Sequence, residues 1–187
     1  MREQVVKDIE KEFLEPSFKY LVKNGLENTS IRDLCKEMNI SYGSLYYWFD
    51  GKDDVYISVV KYGIAKVVEE LFEVAFIKMK TPKFFFETFL DEVDRYKLEL
   101  RLIFQFAASP EYGNAIRKKA VDFKPNYSRN IDELVNITGC PVERITCIIY
   151  MLMSIISDYV IWEDRAVSDM QMKFLYDSVA FKVEKEG

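Results

Sequence analysis

The chain has 187 residues, of which 49% are hydrophobic, with only seven glycines and five prolines. This composition predicts an ordered, largely helical protein with one large or two small cores. The formal net charge of −5 argues against a protein that coats nucleic acid non-specifically and against one that binds an anionic membrane surface. Charged residues run throughout residues 1–13, so we expect no signal peptide and a cytoplasmic location.

Histidine is absent, and the three cysteines, Cys35, Cys140 and Cys147, have no CxxC spacing. The chain therefore lacks the commonest general base and the commonest metal ligand. We expect no metal site and no cofactor, and we interpret the cysteines as small buried residues in a reducing compartment. The sequence also contains no phosphate-binding glycine loop and no nucleophile elbow, so it does not indicate an enzyme.

Apolar residues at helical spacing predict a first helix from Val5 to Asn24. Gly25 is expected to end this helix as a C-terminal cap. Pro16 lies inside the helix and should kink or restart it, because proline removes one backbone hydrogen bond.

Residues 29–55 predict two short helices joined by a tight turn and followed by a longer third helix. Thr29 or Ser30 can cap the first of these helices with its hydroxyl. The expected buried face of that helix consists of Ile31, Leu34, Cys35 and Met38. Asn39 tolerates the left-handed conformation that a sharp turn requires at this point.

The second short helix has an outer face of small or hydroxyl-bearing residues without charge. These residues are Ser41, Tyr42, Gly43, Ser44, Tyr46 and Tyr47. Ser41 can cap this helix and Asp50 the next one, while Leu45 and Phe49 form the expected buried side. Gly43 lowers helix stability, which is useful where another molecule approaches the backbone closely. A DNA duplex does so when a recognition helix enters its major groove, and hydroxyls can then bind phosphates.

This segment resembles the DNA-binding head of the tetracycline-repressor (TetR) family of bacterial and archaeal regulators. The resemblance rests on Gly25, Thr29 to Leu34, Ile40 and Ser41, Gly43 to Tyr47, Phe49 and Lys52. The ordered run covers roughly thirty positions and is far more specific than a short isolated motif. It implies an all-α fold with an N-terminal three-helix, homeodomain-like helix-turn-helix head and a C-terminal helical body for ligand binding and dimerisation.

The resemblance also implies which residues of the head contact double-stranded operator DNA. Ser30 and Arg32 would contact DNA at the start of the first helix of the motif. The residues facing the groove would be Ser41, Tyr42, Gly43 and Ser44. Tyr46 or Tyr47 would hold phosphates, and Lys52 would hold another in front of a helix start. The alternative is that the aromatic residues are core residues only; for Tyr42 and Tyr47 we favour DNA contact.

Three features depart from the pattern of the family. Asn39 replaces the usual turn glycine, and Trp48 stands where a histidine is common. The head is also not basic, because residues 1–52 carry eight Lys or Arg against nine Asp or Glu. With few cations to displace counterions, we expect the DNA affinity to depend only modestly on salt.

We expect a helix-turn-helix domain in residues 1–50, a linking helix in residues 51–80, and a helical ligand-binding and dimerisation domain in residues 81–187. Thr81 and Pro82 mark the break after the linking helix, as a cap followed by proline at the first helical position. By resemblance to the family, the linking helix is the lever through which a ligand moves the head.

Residues 83–108 predict two helices with more phenylalanine than one buried stripe can use. Most of these side chains are interpreted as core, and some are expected to line an apolar cavity, since ligand pockets are largely aromatic. The residues predicted to contact a small hydrophobic effector are Phe86, Phe89, Phe104, Tyr127, Tyr150 and Trp162. Asp91, Glu92 and Asp94 are neighbours on one helix and are expected to form a solvated face rather than a catalytic pair.

The segment Val142–Glu163 is apolar around nearly its full circumference. Such a helix must be buried on all sides, by its own core on one side and by a partner on the other. Within it, the run from Ile145 to Trp162 is about as long as a membrane-spanning helix, but inserting Asp158 would cost about 2.5–3.5 kcal/mol, so we expect no membrane span. A final helix from Asp169 to Val183, capped by Ser168, would complete a four-helix seam, which predicts a homodimer through residues 142–183.

Two functions agree with these expectations. The first is a DNA-binding transcriptional regulator, a repressor released from its operator by a small hydrophobic ligand in the C-terminal domain. The alternative is an effector-independent, structural DNA-binding protein of the same fold. The two differ in whether the body contains the polar groups that a specific pocket needs. The available polar residues are Gln105, Tyr127, Tyr150, Asp158 and Tyr159.

Overall fold

The computed structural model describes residues 10–74, 81–116, 131–132, 135 and 140–183, and the secondary structure in these ranges is helical. A π-helical turn, Glu10–Leu14, precedes the first α-helix. Within these ranges the α-helices include α1 (Glu15–Asn24), α2 (Ile31–Glu37), α3 (Tyr42–Leu45), α4 (Lys52–Glu73), α5 (Pro82–Arg95), α6 (Lys97–Ala108), α7 (Val142–Trp162) and α8 (Arg165–Val183). The all-α prediction is confirmed.

The chain divides into two compact units. The first contains residues 1–70 and 98–118, and therefore holds α1 to α3, most of α4 and nearly all of α6. The second contains residues 71–97 and 119–187, and therefore holds α5, α7 and α8. The helix-turn-helix thus shares its unit with α6, a helix that the expected boundaries place in the body.

The first helix changes its hydrogen-bonding pattern at the proline that the sequence singles out. The π-helical turn gives way to α1, and Pro16 lies in the first turn of α1, where its missing N–H costs no intrahelical bond. The sequence predicts that Pro16 kinks or restarts the helix; it lies next to the change from π-helical to α-helical hydrogen bonding, and the backbone stays helical through Leu14. The predicted start at Val5 lies outside the described residues. Gly25 ends α1 with a φ of 80°, a conformation that favours glycine.

One hydrophobic core holds the first unit together. Its buried members include Phe13, Phe18, Leu21, Ile31, Leu34, Leu45, Phe49, Val55, Tyr56, Val59, Leu102, Phe106 and Tyr112. They come from α1, α2, α3, α4 and α6 and from the segments next to them, which supply Phe13, Phe49 and Tyr112. Full burial of such a side chain contributes about 1.5–3 kcal/mol relative to exposure. Met38, on the predicted buried face of α2, is half-buried at the edge of this core.

The start of α4 differs from the prediction that Asp50 caps it. The helix begins at Lys52, and the carboxylate of Asp54 accepts a hydrogen bond from the backbone N–H of Asp50 at 3.1 Å. The acidic side chain therefore bonds back from the first turn, where the helix dipole favours negative charge. Positions 75–80 of the predicted linking helix lie outside the described residues.

The second unit is built from α5, α7 and α8, and α8 packs against both of the other helices. Its buried side chains include Phe89, Leu90, Val93, Ile145, Ile155, Ile156, Tyr159, Val160, Met172 and Leu175. The predicted start of α5 is confirmed, because the Thr81 hydroxyl oxygen accepts from the N–H of Phe84 at 3.2 Å. Pro82 occupies the first turn of this helix, as predicted.

The last helix begins earlier than predicted. It starts at Arg165, and Asp164 supplies the cap, because its carboxylate accepts from the N–H of Val167 at 3.1 Å. Ser168, the predicted cap, is buried inside the helix, where its hydroxyl donates to the carbonyl of Asp164 at 2.9 Å. Asp and Ser are similarly good caps, so Asp164 and Ser168 were both possible caps for α8. The structure uses the earlier one.

The cysteines differ in their exposure. Cys35 is buried, and burial raises the pKa of its thiol. Cys140 is half-buried, and Cys147 is exposed. The expectation that all three are buried is therefore wrong for Cys147, because it lies on the outward side of α7, one turn before the exposed Tyr150.

Arg165 joins carboxylates from α5 and α8. Its Nη2 lies 2.7 Å from Asp91, its Nη1 3.3 Å from Asp94 and its Nε 2.8 Å from Asp169. The Tyr159 hydroxyl donates to Asp94 at 2.6 Å, and burial together with this hydrogen bond raises the pKa of Tyr159. Asp91 and Asp94 are exposed, as expected for a solvated face, and Arg165 adds ion pairs at this surface that the sequence did not predict.

Replacing Arg165 with methionine should lower the free energy of unfolding by roughly 1–2 kcal/mol, since three partly exposed ion pairs of about 0.2–1 kcal/mol each are lost. For a chain of this length the expected fall in Tm is about 2–8 °C. The difference should shrink in 1 M salt, where the screening length is about 3 Å. Thermal denaturation followed by circular dichroism at two salt concentrations measures both effects.

Lys83→Met is the control for the Arg165 variant. It removes one exposed pair, in which Lys83 Nζ lies 3.8 Å from Glu87. Its effect should stay below about 1 kcal/mol. Equal losses of Tm in the two variants would show that the ion pairs of Arg165 stabilise the fold no more than one exposed ion pair does.

Candidate nucleic-acid interface

The helix α2 begins with a reciprocal cap. The Ser30 hydroxyl oxygen accepts from the N–H of Asp33 at 3.2 Å, and the Asp33 carboxylate accepts from the N–H of Ser30 at 2.8 Å. This capping box identifies Ser30, rather than Thr29, as the cap. Hydrogen bonds from the side chain and backbone of Ser30 lower the pKa of Asp33, so the box persists with an ionised carboxylate. Arg32 is exposed in the first turn of α2.

Asn39 and Ser41 define the turn between α2 and α3. Asn39 has a φ of 53°, the left-handed conformation predicted for it. The Ser41 hydroxyl oxygen accepts from the N–H of Ser44 at 3.0 Å, which confirms Ser41 as the cap of α3. The helix α3 is a single turn followed by turn residues 46–48, shorter than the predicted helix through Phe49. Glycine and two serines are weak helix formers, which accounts for its shortness.

The tyrosines that follow Ser41 lie on the outside of the first unit. Tyr47 is 91% exposed, and Tyr42 and Tyr46 are each 46% exposed, whereas Leu45 and Phe49 are buried as predicted. The Tyr46 hydroxyl donates to the Tyr42 hydroxyl at 2.8 Å, and this bond raises the pKa of Tyr46. The two rings pack edge to face with centroids 5.2 Å apart. The alternative that Tyr42 and Tyr47 are core residues is therefore wrong.

A cleft of about 510 Å³ gathers four of the residues predicted to contact DNA. Those four are Ser30, Arg32, Tyr42 and Lys52, and the other polar wall residues are Glu27, Thr29, Tyr56, Glu111 and Tyr112. The Lys52 ammonium lies 5.7 Å from the centre of the Tyr56 ring. Arg32, Lys52 and the hydroxyls of this wall can bind a phosphate group, and the carboxylates of Glu27 and Glu111 offset part of the positive charge.

The other predicted DNA contacts lie on α3 and the turn after it. Ser41, Gly43, Tyr46 and Tyr47 are exposed, and Ser44 is half-buried. A methyl group added at Gly43 would meet nothing nearer than the Ser41 hydroxyl oxygen, 4.0 Å away. Open space therefore lies in front of this glycine, and contact of these five residues with DNA stays a prediction.

The six residues predicted to contact an effector are spread over both units. Phe104 belongs to the first unit, Phe86, Phe89, Tyr150 and Trp162 belong to the second, and Tyr127 lies outside the described residues. Phe89 is buried, and Phe86 packs against Tyr176 with ring centroids 5.6 Å apart. Tyr150 and Trp162 are 69% and 74% exposed. Ligand binding by these residues stays a prediction.

An open apolar groove of about 640 Å³ lies between α7 and α8. Its lining consists of Tyr150, Met151, Ser154, Ile155, Met170, Gln171, Phe174, Leu175 and Ser178. One side of α7 is thus buried and the other exposed, so the predicted burial on all sides is not reached within one chain.

Within the described ranges, α7 is the helix long and apolar enough to cross a membrane. Core helices of soluble proteins meet the same criteria, so this is weak evidence for a membrane span.

Tyr56 and Tyr112 line the cleft, although no role for either residue was predicted from the sequence. Both are buried, and their rings pack against each other. Tyr56 follows Lys52 by one helical turn, which is the signal that could have indicated it. Tyr112 lies beyond α6, and no periodic pattern connects it with the head.

Residues 14–59 match the model of the family described as bacterial regulatory proteins, tetR family. An uncharacterized HTH-type transcriptional regulator, YuxN, of Bacillus subtilis (strain 168) is 25% identical over an alignment of 162 residues that covers 81% of this chain. The chain spans about half of that relative, because the match covers 53% of its length.

Solved structures share the fold. A TetR-family transcriptional regulator from Cytophaga hutchinsonii superposes with a TM-score of 0.65 at 21% identity, over 91% of this chain and 92% of that one. A transcriptional regulator of the TerR/AcrR family from Aquifex aeolicus VF5 gives 0.56 at 25% identity, over 92% and 98%. Fold and interface together define an all-α protein with an N-terminal helix-turn-helix. Residues 14–59 match the family that the resemblance of the head predicted, and the fold of the chain is that of these solved regulators.

Proposed function

We propose that the chain is a DNA-binding transcriptional regulator, a cytoplasmic repressor that recognises double-stranded operator DNA. The observation that carries the proposal is the exposed, uncharged surface of α3, where Tyr47 is almost fully exposed and open space lies in front of Gly43. Solvation alone would favour charged side chains on such a surface. Hydroxyls, aromatic edges and a bare backbone instead suit a surface that a duplex covers.

A homodimer formed through residues 142–183 would present two such surfaces to a palindromic site. The exposed apolar side chains of Tyr150, Met170 and Phe174 along one groove support this, because a contiguous apolar patch marks an interaction surface. Two copies of α7 and α8 would pack as a four-helix seam. The two copies of α3 would then lie about 34 Å apart, one turn of DNA.

A small hydrophobic effector in the C-terminal domain would release the repressor. Support comes from α5, where the ring of Phe85 packs against those of Phe86 and Phe89 with centroids 5.0 and 4.6 Å apart. Such an effector acts only if it binds the released conformation better than the DNA-bound one. Operator DNA must then weaken effector binding by the same factor.

Gly43→Ala tests the proposed DNA contact and should weaken operator binding at least tenfold, or about 1.4 kcal/mol. The added methyl group fills space that the duplex backbone would need, while the free chain has room for it. Alanine is the better helix former by about 1 kcal/mol, so Tm should not fall. The operator is first selected from a random duplex pool at low ionic strength, and affinity is then measured by fluorescence anisotropy.

Gly51→Ala is the matched control, because a methyl group there also meets nothing within 4 Å. It should retain the wild-type affinity. Wild-type affinity in the Gly43 variant would remove α3 from the interface. Failure of the wild-type dimer to retain any duplex from the pool would remove the regulatory proposal itself.

The alternative of an effector-independent structural protein is favoured by one observation. The predicted effector contacts are spread over two units, and Tyr150 and Trp162 are exposed. A thermal-shift screen of apolar compounds, followed by operator titration at saturating compound, separates the two functions. If no bound compound changes the operator affinity, the effector-independent structural function is favoured.

A further inference from the structure

We infer that Tyr112 is a positioning residue that sets the DNA-reading start of α2 through Tyr56. The inference deepens the proposed function and rests on it, because it names a residue far from the helix-turn-helix in sequence that would govern DNA affinity. Tyr112 follows α6 yet belongs to the same compact unit as α2. Three consecutive contacts connect the end of α6 with the cap of α2.

The first contact is a buried hydrogen bond. Tyr56 is 2% exposed, and its hydroxyl donates to the backbone carbonyl of Thr29 at 2.7 Å. Thr29 is itself buried, and its hydroxyl donates to the Gly25 carbonyl at 2.7 Å. These two bonds hold the residue directly before Ser30, which caps α2 and is predicted to contact DNA. The Tyr56 hydroxyl therefore holds Thr29, and with it the backbone that leads into the capped start of α2.

The second contact confines the ring that carries this hydroxyl. The rings of Tyr56 and Tyr112 meet edge to face, with centroids 5.8 Å apart and planes inclined at 63°. Tyr112 is buried and also packs against Phe106 of α6 at 5.3 Å between centroids. Because close-packed rings leave no room to swing, the Tyr56 hydroxyl points at Thr29 only while Tyr112 stays in place.

The third contact ties Tyr112 to the end of α6. The Ser109 hydroxyl oxygen accepts from the N–H groups of Glu111 at 3.2 Å and Tyr112 at 3.3 Å. The N–H of Ser109 donates to the Phe106 carbonyl at 3.2 Å, and Pro110 restricts the backbone between them. A movement of the C-terminal end of α6 is thus passed to Tyr112 instead of being absorbed by the turn.

The same residues border the cleft in which Ser30, Arg32 and Lys52 meet. Tyr56 and Tyr112 are both wall residues of that cleft. A displacement of the Tyr112 ring therefore alters the cleft and the start of α2 together. Loss of this ring should affect DNA affinity more than it affects the folding of the unit.

The test uses the full-length protein and its selected operator duplex. Tyr56→Phe keeps the ring and removes the hydroxyl, Tyr112→Leu removes the ring, and Tyr112→Phe keeps it. We expect the first two variants to weaken binding at least tenfold, and Tyr112→Phe to stay within about threefold of wild type. The double variant Tyr56→Phe/Tyr112→Leu should bind about as weakly as either single variant, since both interrupt one linkage. Additive losses would overturn the inference.

Amide hydrogen exchange of the free protein separates positioning from a general loss of stability. Tyr56→Phe and Tyr112→Leu should each accelerate exchange in residues 29–34 and leave α7 and α8 at wild-type rates. Tyr20→Phe, which removes a hydroxyl elsewhere in the same unit, is the control and should change neither exchange nor affinity. Unchanged exchange at 29–34, or uniform acceleration, would overturn the inference. Local acceleration in a protein that retains no duplex would instead overturn only the proposed function.

Discussion

Phe174→Glu should convert the protein from a dimer to a monomer and reduce its operator affinity by a factor of roughly 10²–10⁴, because two linked heads bind more tightly than one by about that factor. Phe174 is 74% exposed in a single chain, so the glutamate stays solvated in the monomer and the fold should persist. In the proposed seam the same carboxylate would be buried without a partner, which costs several kcal/mol. Light scattering after gel filtration gives the oligomeric state, and anisotropy gives the affinity.

Lys173→Glu is the matched control for the dimer prediction. It introduces the same side chain one position away, at an exposed residue outside the lining of the groove. It should remain dimeric. Alkylation of the exposed Cys147 provides an independent measurement, because that thiol lies one turn from Tyr150 and should react faster in the monomer. A dimeric Phe174→Glu protein with wild-type affinity would exclude the groove from the seam.

The helix-turn-helix could be predicted because its signals are local. The bonds between Ser30 and Asp33 and between Ser41 and Ser44 each join residues three positions apart, so the sequence displays both partners together. The left-handed turn needs only a residue such as Asn39 that tolerates a positive φ. In this part of the chain, sequence patterns are therefore sufficient to predict which residues cap the helices and which form the turn.

The long-range contacts could not be predicted, because the residues that form them are far apart in the sequence. Arg165 and Asp94 are 71 positions apart, and nothing in the α5 pattern distinguishes a carboxylate that meets a cation from one that meets water. The residue pair Tyr56 and Tyr112 likewise has no periodic signature, because side-chain packing between helices depends on their tertiary arrangement. The spacing of apolar residues along a helix indicates which face of the helix is buried. Only the tertiary structure shows which residues that face packs against.

The aromatic residues of the body show a different limit. A phenylalanine at helical spacing is compatible with a core, a cavity wall or a surface patch, and α5 contains several of these environments. Phe89 is buried, Phe86 is half-buried and Phe84 is 49% exposed, although all three belong to one run of similar residues. Effector contacts therefore cannot be assigned from helical spacing, whereas the predicted DNA contacts follow from the resemblance of an ordered motif.

Gly63→Ala should lower the free energy of unfolding by about 1–2 kcal/mol, although alanine is normally the better helix former. Gly63 is buried in α4, and a methyl group there would overlap the ring of Phe18 in α1. That ring is itself buried in the core of the first unit, so it has no solvent to move into. Because the methyl group would lie only 2.0 Å from a Phe18 ring carbon, the overpacking cost should fall in the upper part, about 2–3 kcal/mol, of its usual range. This cost outweighs the helix-propensity gain of about 1 kcal/mol. The expected fall in Tm is about 2–8 °C.

A second substitution decides whether the overlap is the cause. Phe18→Leu alone should destabilise by leaving a cavity, but in Gly63→Ala/Phe18→Leu the methyl group occupies part of that space. The double variant should therefore be more stable than the sum of the single effects, by an interaction free energy of about 0.5–3 kcal/mol in denaturant titrations. Gly43→Ala adds the same methyl group where the structure leaves room, and its Tm should not fall. Strict additivity would mean that α4 needs its glycine for a reason other than close packing against α1.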